Sequence, residues 1–424
     1  MNKRVVITGL GVVAPNGVGL DAFTSAIKNG VSGIKHDAEL ERLQFSCQIA
    51  GKPDVSNDLA LNYFTELELR NFNSTGILYG VIAGMDAWKD AGLEIENNEE
   101  PDWDSGTIFG TGTSGIDKFR ESIYKIDDLQ TRRLGSTAVA QTMNSGVSAY
   151  LGGKLGLGNQ VTTNSSACTT GTEGILMAFD RIQSGQAKRI LAGSTSDSGP
   201  YIWGGFDAMK VCTFKHNDNP EKGSRPMSAS ATGFVPGSGA GAMVLEDLES
   251  ALKRGAKIYA EVLGGNVNSG GQRGTGTMTA PNSTAVQKCI KDALTNSDIS
   301  ADEIDAINGH LTATSKDGLE ILNWSEALNK KGTDFPYINA LKSTIGHCLS
   351  AAGSIESVAC VLELYHGFVF PSINCEDLHP EITSVIDSSR IPQKLIEKDL
   401  NIIVKASFGF GDVNACVVFK KFKK

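Results

Sequence analysis

This sequence predicts an α/β fold in which short apolar strands deliver polar residues to the starts of helices, and three observations carry the prediction. Residues 305–308 and 337–341 read as short buried strands, each followed by a stretch, 315–328 and 350–365, where Leu, Ile, Val and Ala recur at helical spacing. The chain opens on a strand at 5–7 and closes on two more, at 402–406 and 414–419, joined by the loop Ser407-Phe408-Gly409-Phe410-Gly411-Asp412. No charge block, low-complexity run or Pro/Ser linker interrupts the 424 residues. In an open α/β sheet, residues at the carboxyl ends of strands collect in one crevice.

Taken in chain order, the first chemically informative element is the run from Asn164 to Gly174, where an extended polar segment meets a small-residue helix at Cys168. A thiol at a helix N-terminus feels the positive end of the helix dipole, which favours thiolate. A cysteine beside glycines is, taken alone, more often a packing residue. Two histidines alter that balance. His310 follows the strand at 305–308, and His347, in Lys342-Ser343-Thr344-Ile345-Gly346-His347, follows the strand at 337–341. Helical His spacing and a nearby carboxylate ligand are both missing, which argues against a metal built from Cys168, His310 and His347.

Composition excludes several classes. A formal charge of −9 disfavours a nucleic-acid surface. No apolar run is long enough to span a bilayer, and Met1-Asn2-Lys3-Arg4 leads straight into a strand without a signal-peptide core, so a soluble cytoplasmic protein is expected. The eight cysteines lack CxxC pairs or a secreted pattern, and Cys47, Cys212, Cys289, Cys348, Cys360, Cys375 and Cys416 read as reduced packing residues.

These motifs together resemble the β-ketoacyl-acyl carrier protein synthases of the elongating type II and type I kinds. The resemblance runs from Val5 to the last strand. It rests on Ala167-Cys168-Thr169, on His310 followed by Thr312 and Thr314, on Lys342 through His347, and on Phe408-Gly409-Phe410-Gly411, with Ser224-Arg225-Pro226 and the Gly-rich stretch 233–241 between them. It implies a thiolase-like, five-layered α-β-α-β-α fold made of two similar halves. A helix at 248–254 and a strand at 257–263 put their boundary near 256: residues 1–255 carry the nucleophilic Cys, and 256–424 the two His and the Phe/Gly gate loop.

The resemblance also implies a mechanism. Cys168 attacks an acyl thioester on a carrier protein, and the backbone N–H groups of Cys168 and Phe410 form the oxyanion hole. His310 and His347 donate from Nε2 to the thioester oxygen of a malonyl group as it decarboxylates, and the carbanion extends the acyl chain by two carbons. No cofactor and no metal are implied, since both substrates ride on the phosphopantetheine of acyl carrier protein, with Thr312 and Thr314 as its contacts. Lys342 is a buried cation in need of a partner. Glu320 is expected to serve, with Asp317 competing because the loop after His310 departs from the family pattern at Leu311 and is one residue shorter.

Asp412 stands where the family has a second Gly, and its carboxylate is expected to anchor the gate loop. Thr113 matches a position lining the acyl pocket. Lys210, Arg132 and Arg133 are candidates for carrier docking, because Glu66 and Glu68 replace the basic residues usual on an earlier helix, leaving only Arg70. A homodimer is implied. A specialised ketosynthase of a type II polyketide or aryl-polyene pathway is the rival to fatty-acid elongation, and a silent chain-length-factor-like partner the more distant one, since such proteins typically lack the nucleophilic Cys. A thiolase would use a second Cys with one His, and a Cys-His hydrolase leaves the second imidazole and Lys342 unexplained.

Overall fold

The same five-strand pattern occurs twice along this chain. The computed structural model describes residues 2–95 and 99–423. The first set comprises β1 (Val5–Ala14), β2 (Ser105–Thr111), β3 (Val161–Thr162), β4 (Arg189–Ser196) and β5 (Gly239–Asp247). The second comprises β6 (Ala260–Ser269), β7 (Ala306–Asn308), β8 (Tyr337–Asn339), β9 (Ile402–Gly409) and β10 (Val413–Lys421). In the first, β2 lies parallel to β3 and β4, while β5 runs antiparallel to both β4 and β1. In the second, β7 lies parallel to β8 and β9, while β10 runs antiparallel to both β9 and β6. The sets join edge to edge where Val5 to Ile7 pair with Val262 to Ala260.

Six helices turn this sheet into layers. Helices α1 (Thr75–Asp90) and α2 (Gly146–Leu155) cover the outer face of the first set. Helix α3 is Thr170–Gln183; α4 (Ser283–Asn296) and α5 (Asp317–Leu328) cover the outer face of the second set. Helix α6 (Ala352–His366) packs on α3, and both lie between the strand sets, making the thiolase-like five-layered arrangement. Being covered all round, α6 is buried from Ala352 through Leu364, as expected of a central helix.

Strands covered on both faces read as continuous apolar runs, which explains β1. The sequence places that strand at 5–7 only, because Gly9 and Gly11 interrupt it. A Cβ at these glycines would lie 2.1 Å from the Ala87 carbonyl oxygen and 2.0 Å from that of Ala83, so they are where α1 lies directly on the strand. The expected strand at 257–263 is Ala260–Ser269, and the helices expected from 315 and 350 begin at Asp317 and Ala352. In the latter case the shift is a 3₁₀ turn, Leu349–Ala351, ahead of the helix.

Candidate active site

Cys168 sits in a 3₁₀ turn, Ala167–Thr169, that runs directly into α3. Ala167 takes a left-handed φ of 50°, unusual for a residue with a Cβ. Short side-chain bonds hold the turn: Thr170 Oγ1 accepts from Ser166 N at 2.9 Å and donates to the Ala167 carbonyl at 2.7 Å, and Thr169 Oγ1 donates to the Ser166 carbonyl at 2.6 Å. Burial pushes the thiol up to about 11, against the opposing pull of Lys342 and of the Phe410 and Cys168 N–H groups. The easily formed thiolate expected at a helix end is thus corrected: desolvation outweighs the nearby positive groups.

His310 leaves the end of β7 on a loop whose backbone is fixed by two buried carboxylates of α5. Glu320 accepts from His310 N at 2.7 Å and Leu311 N at 2.8 Å; Asp317 accepts from Thr312 N at 3.0 Å and Ala313 N at 3.1 Å, and from Met227 N at 2.8 Å. These bonds stabilise left-handed φ values at Leu311 (26°) and Ala313 (63°). Burial raises both carboxyls against their N–H donors, Glu320 to about 7.

His347 follows Gly346, whose φ is 71° and where a Cβ would meet the Val235 carbonyl oxygen at 2.7 Å. Its own N–H donates to that carbonyl at 2.7 Å. Nδ1 accepts from Leu349 N at 3.1 Å, which leaves Nε2 carrying the ring proton. Both imidazoles are held well below their ordinary value, first by burial and then by Lys342, so both are neutral near pH 7. The rings stand edge to face with centroids 5.4 Å apart, and the Cys168 sulfur and a nitrogen of each ring lie within 4.8 Å of one another. Such a trio can present sulfur and two N–H donors to one carbonyl group.

Lys342 corrects a second expectation. Its ammonium is buried and pairs with Glu356 Oε1 on α6, not with Glu320 or Asp317, whose oxygens are spent on backbone N–H groups. Sequence reasoning missed Glu356 because it lies within an apolar helical stretch. The available signal was an acidic residue at a core position of the helix close behind His347, one of two acidic residues in that stretch.

A cavity of about 270 Å³ opens over this trio, lined also by Thr312, Thr314 and Phe410. The two threonine hydroxyls are 3.0 Å apart. Phe410 packs tilted against Phe206 with ring centroids 5.9 Å apart, and Phe408 meets His310 edge to face at 6.2 Å. Gly409 lies so close to the Cys168 turn that a Cβ would be 3.1 Å from Cys168 N. Beyond Gly411, Asp412 is buried with φ 62°, and its carboxylate accepts from Asn282 N at 2.8 Å and Gln272 N at 3.1 Å. Cβ atoms on Gly270 and Gly276 would fall 2.1 and 2.3 Å from Asp412 Oδ2, so those glycines form its socket. Gly411 N also donates to the Met278 carbonyl.

The remaining candidates lie outside the cavity. Thr113 is exposed and off its wall, which corrects the acyl-pocket expectation within one chain. Lys210 is exposed beside the lining residue Val211. Arg132 and Arg133 are exposed on the turn Thr131–Arg133, and Glu68 is paired with Lys154 at 2.8 Å.

A buried thiol facing two neutral imidazoles, with a buried ammonium behind them, is the arrangement a Cys-His-His condensing site on a thiolase-like fold would need. Comparison with known proteins agrees. The model of the beta-ketoacyl synthase N-terminal domain matches residues 2–251, and that of its C-terminal domain residues 259–376. The chain is 34% identical over 427 aligned residues to 3-oxoacyl-[acyl-carrier-protein] synthase I, chloroplastic, of Arabidopsis thaliana, covering 99% of this chain and 87% of that one. It is also 34% identical to 3-oxoacyl-[acyl-carrier-protein] synthase 2 of Vibrio harveyi, with 99% of each covered. Among solved structures, a type II polyketide synthase ketosynthase, bound to the hexaketide and in complex with its acyl-carrier protein, superposes with a TM-score of 0.87 at 27% identity over 100% of both chains. The chain belongs to the beta-ketoacyl synthase family, whose members are acyl-transferring condensing enzymes. Among the described residues no helix is long and apolar enough to cross a membrane.

Proposed function

We propose that this chain is a 3-oxoacyl-[acyl-carrier-protein] synthase that extends an acyl chain by two carbons through decarboxylative condensation. The observation that carries it is the trio of Cys168, His310 and His347 within 4.8 Å, with both imidazoles held neutral. Cys168 sulfur attacks the thioester carbonyl of an acyl carrier protein, and the thiol proton ends on the departing pantetheine sulfur. The N–H groups of Cys168 and Phe410 hold the tetrahedral oxyanion. In the second half-reaction the malonyl carboxylate leaves as CO2 while His310 and His347 donate to the enolate oxygen. The carbanion attacks the acyl-Cys168 carbonyl, Cys168 departs as thiolate, and the 3-oxoacyl product leaves on its carrier.

Thr312 and Thr314 supply hydroxyls for the pantetheine amides at the cavity wall. The phosphopantetheine belongs to the substrate, so no resident cofactor enters the reading. Lys210, next to the lining residue Val211, is the candidate docking cation, with Arg132 and Arg133 as the second candidates. The division of labour falls near residue 256, between a half that supplies the nucleophile and one that supplies the histidines and gate. Exposed Phe119, Ile123, Tyr124 and Val139 support a homodimer.

Intact-protein mass spectrometry tests the proposal. Incubation with acyl carrier thioesters should add one acyl group at Cys168, and malonyl-carrier should discharge it as a chain two carbons longer. Lack of an adduct with every acyl chain supplied would point to a silent partner subunit. A second reading, condensation in a type II polyketide or aryl-polyene pathway, is favoured by the likeness to the polyketide ketosynthase; preferential discharge of polyene or polyketide chains would select it.

A further inference from the structure

A second lysine is buried behind this site, and the reaction as described leaves it without a part. Lys405 lies in β9, where side chains alternate: Val404 and Ala406 face the α4/α5 side, and Ile403, Lys405 and Ser407 face the central α3/α6 layer. It is fully buried. Its ammonium sits 2.8 Å from Glu356 Oε2, donates to Ser407 Oγ at 3.1 Å, and also donates to the Ala406 carbonyl. Ser407 Oγ lies 2.9 Å from Thr172 Oγ1 on α3, the helix that starts just after Cys168.

Glu356 therefore takes a different lysine on each oxygen, Lys342 on Oε1 and Lys405 on Oε2. Among the described residues it is the sole carboxylate in ion contact with either ammonium. One carboxylate balances one cation, and burying an unbalanced second one is costly, so a merely structural lysine here would be an expensive way to fill space. The other titratable groups around the pair are Cys168, His310 and His347 in the cavity, Glu320 on α5, Cys348 just before α6, Cys360 on α6 and Cys416 on β10.

We propose that Lys405 is a positioning residue for the condensation: by balancing Glu356 from behind, it lets Lys342 face the reacting atoms as a net positive charge. This rests on the condensing reading above. Without Lys405, the Glu356 carboxylate balances Lys342 alone, and the cavity loses the field that favours the Cys168 thiolate, the tetrahedral oxyanion and the enolate. The same field keeps the imidazoles as neutral donors. The directions agree: Glu356 opposes ionisation of Cys168 and Lys342 favours it, while both imidazoles are lowered by burial, then Lys342, and further by Lys405.

The test is the rate of Cys168 alkylation by iodoacetamide from pH 6 to 9.5, followed by intact mass, on the full chain carrying Lys405→Met. The expected result is a rate–pH curve displaced upward by about half a unit to one unit, a roughly three- to ten-fold loss at fixed pH. In parallel, the acid limb of malonyl-carrier decarboxylation should move to higher pH, because the imidazoles lose a repelling neighbour. Glu356→Gln should displace the alkylation curve the opposite way, and adding Lys405→Gln to it should bring the curve back; this pair decides the matter if Lys405→Met does not fold. Curves unchanged by Lys405→Met, or by Lys405→Gln in the Glu356→Gln background, would overturn the proposal. Alkylation needs no carrier protein, so a chain that shows the shift yet condenses nothing would sink the function and leave the electrostatic role standing.

Discussion

The turn that presents Cys168 has a counterpart in the other half of the molecule. Ala167, at φ 50°, opens the 3₁₀ turn into α3, and Leu349, at φ 51°, opens the 3₁₀ turn Leu349–Ala351 into α6. The second residue is Cys168 in one and Ser350 in the other. Ser350 is locked, donating Oγ to the Thr195 carbonyl at 2.7 Å, whereas Cys168 faces a cavity and two imidazoles. Two copies of the same backbone device at the start of a helix give one thiol on the cavity wall and one locked hydroxyl. What the turn faces, and not the helix end itself, makes the difference. Burial, moreover, pushes the Cys168 thiol up to about 11 in spite of its helix.

The largest effect should come from exchanging chemistry between these turns. Cys168→Ala should lower condensation by about 10⁴-fold or more, and Ser350→Cys in that background should take up no acyl group in intact-mass assays. An adduct at position 350 would break the comparison. Next come the histidines: His347→Ala or His310→Ala should cut malonyl decarboxylation by roughly 10²- to 10³-fold while Cys168 still acylates. Because both imidazoles lie well below their ordinary value, the wild-type decarboxylation rate should stay flat as pH falls from 8 to 6.5, and decline only below. A limb near 6.5 to 7 would contradict the neutral-donor geometry.

A smaller effect is expected at the gate, a short turn between β9 and β10, where in the first half residues 197–238 with the helix Pro200–Ala208 separate β4 from β5. Asp412→Gly removes two carboxylate bonds to the loop around Gln272 and Asn282, a loss of about 1–3 kcal/mol from that contact. Stopped-flow measurement should show acylation altered several-fold with decarboxylation nearly unchanged; equal effects on both would remove the gate role.

The smallest effect concerns a contrast between the paired central helices. Helix α6 buries Glu356 and Glu363, while the acidic residues of α3, Glu173 and Asp180, are not fully buried. Burial pushes Glu363 up to about 8, above its unfolded value of about 4.3. Its contribution to stability is therefore complete below that unfolded value and is lost as pH rises through about 8. Glu363→Gln should flatten the fall in melting temperature between pH 5 and 8.5, read by calorimetry.

Much of the site was legible because its residues stand in short local motifs at strand ends: Cys168, His310, Lys342 with His347, and Phe408 through Asp412. What the sequence hid depends on distant packing. Glu356 and Lys405 are charges inside apolar stretches, and only the stacking of α6 on β9 brings them together. Glu320 was readable as buried and acidic, but its partner was not, since backbone N–H groups leave no mark in a sequence. The duplication was nearly invisible because it lives in strand order, while the paired strands, such as β2 with SGTIFGT and β7 with AIN, share little pattern.

One contact between the central helices has a mechanical meaning. At Gly171 a Cβ would lie 2.3 Å from Ser354 N, and at Gly353 one would lie 2.6 Å from Thr172 N, so α3 and α6 touch main chain to main chain. A spacing set by backbone has no rotamers through which to drift. The helix that begins behind the sulfur and the helix that begins behind His347 are gauged against each other like the jaws of a fixed calliper. Pressure or warming should therefore disturb the loops that admit substrate well before it alters the gap across which the new carbon–carbon bond is made.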